Sequence, residues 1–248
     1  RKVLDNDIKL ELNTPETVAA ADTSLKPPPF LFEAAPPKRP DKLFPSKTFS
    51  LTRPISVQPV LTPDNYMDVM PGVLKKAKRS IVIEHQYIHS ADVPVAELLE
   101  AIKSALDANE ELSVRIILGK IFGESDLIKE KANLANMKAK YGLKLGTNVR
   151  YIDTTRLVHC HNKLIIVDRE TVLVSSQNWS NAAVLENREA GLLFKHKGVA
   201  GYFTDIFDID WSTAQQTLPS SIGPSITSPE SLRRGGFIEV SPADYQQL

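Results

Sequence analysis

Residues 159–178 constrain the chain more than any other stretch. They read His159-Cys160-His161-Asn162-Lys163, an apolar run Leu164–Val167, the polar trio Asp168-Arg169-Glu170, a second apolar run from Val172 to Val174, then Ser175-Ser176-Gln177-Asn178. Two β-branched runs of strand length parted by polar residues fold as neighbouring strands. Alternation at period two puts His161 and Lys163 on one face, and Ser176 and Asn178 repeat that spacing on the next strand. Lysine is rarely buried unless paired, yet Lys163 shares a face with Ile165 and Val167. An imidazole beside an ammonium, a hydroxyl and a carboxamide suits attack on phosphorus. There, negative charge builds on the non-bridging oxygens and needs fixed donors.

The surrounding pattern is α/β. Helices are expected over 63–78 (capped by Thr62, with Pro63 in its first turn), 95–108, 125–141 (capped by Ser125) and 199–211. Strands are expected over 80–88, 114–118, 149–152, 163–167, 171–175 and 190–194. This order predicts a mixed β-sheet flanked by helices on both faces. The domain is expected to span 56–213. Ten of the 17 prolines fall in residues 1–59, so 1–55 reads as an extended Pro-rich arm. The arm carries Phe30, Leu31, Phe32, Leu43, Phe44 and Phe49, which predicts that it packs on this domain or on a partner. Short strands are expected at 7–12 and 237–240, the latter inside a loop-like tail, 214–248.

With 30 basic and 30 acidic residues the formal net charge is zero, and residues 56–213 hold 19 basic and 20 acidic side chains. A nucleic-acid binder usually carries a positive stripe. Cys160 is the one cysteine, so no intrachain disulfide forms. On a strand it points away from His159 and His161, and no metal site is expected there. No run of 18 apolar residues occurs, so no transmembrane helix is expected. The compartment stays open.

The spaced pattern H-x-K, four residues, D, six residues, S-S-x-N resembles the HKD motif of the phospholipase D superfamily of phosphodiesterases and phosphatidyltransferases. The resemblance extends to Asn187-Arg188-Glu189-Ala190-Gly191, since similar members carry a glutamate about a dozen residues after the asparagine. The family usually has Gly-Ser where this chain has Ser175-Ser176. The resemblance implies a phospholipase D-type sandwich and a catalytic set of His161, Lys163, Asp168, Ser176, Asn178 and Glu189, with no cofactor. His161 would attack phosphorus to form a phosphohistidine. Lys163, Ser176 and Asn178 would hold the phosphoryl oxygens, and Glu189 would orient an imidazole. Asp168 falls on the strand face opposite His161 and reads as a structural strand-end residue, not a proton carrier.

A second cluster, Glu84-His85-Gln86-Tyr87, ends a strand, where α/β sheets place ligands. It resembles the I-E-N-Q-Y-F segment in the second half of two-motif phospholipases D, with His85 in place of asparagine, and implies a substrate-binding role. The same residues also fit a plain strand end with a surface histidine and a glutamine bonded to a loop. The family scheme needs two H-x-K copies and this sequence has one. The second is expected from another half, this chain resembling a C-terminal half, or from a symmetry mate in a homodimer. A phospholipid or small phosphodiester is the expected substrate. An HKD-type nuclease acting as a homodimer and a non-catalytic half are the alternatives.

Overall fold

The computed structural model describes residues 44, 46–50, 55–121, 123–157 and 159–218. In chain order its elements are β1 (Ser56–Thr62), α1 (Tyr66–Lys75), β2 (Ser80–His85), α2 (Val93–Ala108), β3 (Ser113–Leu118), α3 (Gly123–Tyr141), β4 (Val149–Tyr151), β5 (Lys163–Val167), β6 (Thr171–Ser175), α4 (Asn181–Leu185), β7 (Glu189–Lys195) and α5 (Lys197–Thr213). The strands form a seven-stranded sheet in the order β1-β7-β6-β5-β2-β3-β4. β2, β3 and β4 run parallel, and every other neighbouring pair is antiparallel. This is the mixed sheet that the alternation predicts.

Period two sorts the strand side chains onto two cores. Ile81 and Ile83 of β2, Ile165 and Val167 of β5 and Leu173 of β6 pack with α1, α2, α3 and α4. Val82, Leu164, Ile166 and Val172 pack on Ala200 and Phe207 of α5. Helices therefore cover both faces, as expected. The sheet also carries α1 differently from the expectation of 63–78. Thr62 stays in the ladder opposite Glu189, so it cannot cap, and the helix starts after Asn65, whose carboxamide oxygen accepts from the Leu61 N–H at 2.8 Å. α3 begins at Gly123, which leaves Ser125 inside its first turn. β1 and α4 were not expected at all. The strand expected over 80–88 ends at His85, beyond which Ile88 makes an isolated bridge with Trp179.

Phe49 packs edge-on to His196 and Tyr202, with ring centroids 6.2 and 6.1 Å away. This part of the arm lies on the domain itself. The strands expected at 7–12 and 237–240, and most of the arm, lie outside the described residues.

The β5–β6 hairpin turns on Asp168 and Arg169, both at positive φ (56° and 57°), with Glu170 N–H donating to the Val167 carbonyl at 3.0 Å. The register of Val167 opposite Thr171 leaves a three-residue loop, Asp168 to Glu170, and aspartate tolerates the left-handed conformation better than most residues. The Asp168 carboxylate accepts the backbone N–H groups of Lys78 (3.0 Å), Arg79 (2.6 Å) and Ser80 (3.0 Å). It thus ties the hairpin to the start of β2. Asp168→Ala should cost roughly 2–4 kcal/mol in a denaturant melt, because it removes a charged acceptor from three donors. Asp168→Asn keeps one acceptor oxygen and the turn, and should lose about half as much. Equal stability of all three proteins would refute this role.

Candidate active site

The C-terminal end of β2 and the entry to β5 meet at one end of the sheet. Their antiparallel register sets His85 opposite Lys163 and Glu84 opposite Leu164. The loop that carries His159 to Asn162 is held near Gln86 by a glycine. Gly119 donates its N–H to the Gln86 carbonyl at 3.0 Å. A Cβ there would lie 2.8 Å from that carbonyl oxygen, 2.9 Å from the Cys160 carbonyl oxygen and 3.0 Å from the His159 ring. Only glycine lets the three segments approach so closely. Sequence reasoning passed over Gly119. Its signal was a glycine directly after a buried strand.

Lys163 donates its Nζ to the His161 carbonyl at 2.8 Å and to Gln86 Oε1 at 3.4 Å. Asn178 Nδ2 also reaches Gln86 Oε1 at 3.4 Å. Two donors thus converge on one oxygen, Lys163 from β5 and Asn178 from the loop after β6, beyond the strand on which Ser176 and Asn178 were expected. His161 is exposed beside them, its ring centroid 6.0 Å from that of His159. Ser176 donates to Glu189 Oε2 and accepts from the Ala190 N–H at 3.0 Å, while Asn187 Nδ2 reaches Glu189 Oε1 at 3.3 Å. Glu189 therefore engages Ser176 and Asn187, and its charge partly offsets the desolvation that lowers Lys163. Asp168 stands at the far end of β5, roughly 17 Å from Lys163 at 3.3 Å per residue.

The second cluster separates. Glu84 and His85 are both buried, on opposite faces of β2. Glu84 faces the α5 side and meets Cys160, whose Sγ lies 3.5 Å from Oε1. His85 packs edge-on against Trp179 at 5.3 Å, and among the described residues neither of its ring nitrogens has a hydrogen-bond partner. Gln86 and Tyr87 instead line a cavity of about 710 Å³ together with Gly119, Lys120, Glu130 and Tyr151. So of the four residues expected to bind substrate, two face open space and two are sealed in the cores. Cys160 is buried while His161 is exposed, but both lie in the loop before β5 and not on the strand the expectation assumed, so the loop and not alternation separates them.

A family model described as "Cardiolipin synthase, PLD-like domain" matches residues 72–211, from within α1 to the last turns of α5. The chain belongs to the phospholipase D-like family. Solved structures agree on the fold. Nuc, a phospholipase D family member from Salmonella typhimurium, is 19% identical with a TM-score of 0.50, over 65% of this chain and 97% of that one. Phosphatidylserine synthase from Haemophilus influenzae Rd KW20 is 15% identical with a TM-score of 0.52, over 66% of this chain and 39% of that one. At such identities the likeness is one of fold. No curated protein sequence matches the chain. No helix among the described residues is long and apolar enough to cross a membrane.

Proton affinities around the H-x-K pair of this phospholipase D-like domain are displaced downward. Desolvation and the Lys163 ammonium lower the His161 imidazole, and desolvation lowers Lys163 itself. Behind them, burial pushes Glu84 up to about 7, helped by the nearby Asp210 carboxyl. Burial, then Lys163, brings His85 down to about 3. These two β2 neighbours have opposite linkage. From pH 4.5 to 7 the folded chain keeps a Glu84 proton that the unfolded chain has lost, so stability falls as pH rises. From pH 6.5 down to 3 the unfolded chain binds a His85 proton that the folded chain refuses, so stability falls as pH falls. Between about pH 4.5 and 6.5 the two slopes, each about 1.4 kcal/mol per unit, largely cancel. Glu84→Gln removes the first slope only. Its stability relative to wild type should therefore rise with pH across this window, measured by urea melts at successive pH values. Profiles that stay parallel would contradict the assignment.

Proposed function

We propose that this chain is a phosphodiesterase in which His161 is the nucleophile and Lys163 and Asn178 hold the phosphoryl oxygens. The convergence of Lys163 Nζ and Asn178 Nδ2 on one oxygen, beside an exposed imidazole, carries the reading. Both contacts to Gln86 are long, so a phosphoryl oxygen that carries charge is the better acceptor. A lowered imidazole is unprotonated at neutral pH and has a lone pair to offer. His161 forms a P–N bond as the P–O bond to the leaving alcohol breaks. A second imidazole gives the leaving oxygen its proton, then takes one from water or an acceptor alcohol, whose oxygen displaces His161. Histidine supplies the nucleophile and lysine the positive charge, so this scheme calls for no metal.

The second imidazole comes from another chain or half that carries its own H-x-K. His85 is sealed against Trp179, and His159 accepts the Lys120 N–H through Nδ1 at 3.4 Å. A phospholipid is the substrate this reading favours. The near-balance of charge over 56–213 argues against a nucleic-acid groove. The cavity beside Gln86 mixes Tyr87, Ile121 and Ala132 with Lys120, Lys129 and Glu130 and is of a size to take one substituent of a phosphodiester.

The test is turnover of phosphatidylcholine vesicles and of a single-stranded oligonucleotide by the purified chain, with its mass measured by light scattering. Lipid turnover should survive EDTA and fall at least about 10³-fold in His161→Ala. Quenching in denaturant at alkaline pH, where a P–N bond survives, should trap a phosphorus adduct on the His161 peptide. Activity lost to EDTA and restored by a divalent ion would overturn the metal-free scheme. Cleavage of the oligonucleotide alone would overturn the lipid assignment. A verified monomer should be slower by roughly 10²–10⁴-fold for want of its general acid. Full turnover by that monomer would make His159 the next residue to test.

A further inference from the structure

Glu84 lies two residues before Gln86, which faces the cavity, yet its own side chain points into the core beneath the His161 loop. Only 1% of the residue is exposed. Oε1 lies 3.5 Å from Cys160 Sγ, and that thiol also lies 3.9 Å from the His85 carbonyl oxygen. Cys160 and Asn162 flank His161, and the His161 carbonyl is itself the acceptor for Lys163 Nζ at 2.8 Å. The Asn162 amide favours the ionised form of Glu84, but among the described residues Oε2 has no hydrogen-bond partner. One carboxyl group thus meets the loop at the residue before the exposed imidazole, from a strand whose register with β5 is fixed.

We infer that Glu84 is a positioning residue that, by accepting the Cys160 thiol, fixes the backbone around His161 and so the orientation of the His161–Lys163 pair. This rests on His161 and Lys163 being the reacting pair. The surroundings favour the neutral form. Leu164 and Ile117, its register partners on β5 and β3, are apolar. From α5 the buried Asp210 carboxyl repels a second negative charge, although burial also raises its own proton affinity and Arg156 only partly offsets that. Burial and Glu84 together keep Cys160 as a thiol, with an S–H to donate.

A buried acid with one unpartnered oxygen is a poor contributor to stability, because a group of similar size without polar atoms leaves nothing unsatisfied. Structure and function can therefore be separated by substitution. Glu84→Leu should melt at or above the wild-type temperature while kcat on phosphatidylcholine vesicles falls roughly 10–100-fold with KM within about twofold, since a displacement near 1 Å at a reacting group has that effect. Glu84→Gln keeps a neutral acceptor in place and should hold kcat within about threefold. Cys160→Ala removes the donor and should follow Glu84→Leu, to a smaller extent. The second readout needs no turnover. In proton–carbon NMR the His161 ring signal should titrate below the ordinary histidine range in wild type and Glu84→Gln, and move toward that range and broaden in Glu84→Leu. Wild-type kcat and an unchanged His161 signal in Glu84→Leu would overturn the inference, as would equal losses in the Gln and Leu variants. A shifted His161 signal in a chain that turns over no phosphodiester would uphold the positioning role while defeating the catalytic reading.

Discussion

The antiparallel pairing of β2 with β5 sets everything at this site. It places His85 opposite Lys163 and Ile81 opposite Val167. A slip of one residue would turn Lys163 toward α5 and bring Glu84 to the face of α1 and α2, since each strand alternates at period two. The pair is tied at both ends by a carboxyl group. Asp168 at the hairpin accepts three N–H groups from the start of β2, and Glu84 at the end of β2 meets the loop that leads into β5. The surroundings of the two acids differ. Asp168 is ringed by three backbone N–H donors. Glu84 has one thiol and apolar neighbours, which suit a proton.

That framework explains how a lysine can sit 6% exposed at the start of an apolar strand, opposite His85. Its ammonium is satisfied by the His161 carbonyl and Gln86 Oε1, which follow from the loop geometry and not from strand pairing. The same ammonium lowers the imidazoles near it. On the proposed reading this desolvated cation offers charge to an incoming oxygen and, with desolvation as the larger cause, helps to keep the His161 imidazole unprotonated. The glycines serve the same closeness. Gly119 admits the His159–Asn162 loop against Gln86. Gly191 lies where a Cβ would come 2.6 Å from Ser175 Cβ, so β6 and β7 can close beside Ser176.

Much of the sheet was readable because β5 and β6 are short, β-branched and bounded by polar residues. Their spans, 163–167 and 171–175, match the expectation to the residue. β1 was not readable. Ser56-Val57-Gln58-Pro59 shows little apolar alternation, and a proline argues against a strand unless the strand lies at an edge, which is where β1 lies. α4 has only five residues, too few for a helical period to show. Glu84-His85-Gln86-Tyr87 was read as one cluster, although alternation alone sends Glu84 and His85 to opposite faces. What the sequence could not supply was the long-range partner of each: Cys160 for Glu84, and Trp179 for His85, contacts that depend on the crossing of distant segments.

The three histidines near the site have been given three different environments, and this division shapes what one chain can do. His85 fills core space against Trp179 and is held neutral far below physiological pH. His159 is half-buried and uses Nδ1 as an acceptor for the Lys120 N–H, which leaves any ring proton on Nε2. His161 alone stands exposed beside the converging donors. A group that attacks phosphorus has committed its lone pair and cannot give a proton to the departing oxygen in the same step. On the proposed reading the proton therefore comes from a second imidazole, and the Glu189 carboxylate, already bonded to the Ser176 hydroxyl, is an acceptor of the kind that orients such an N–H.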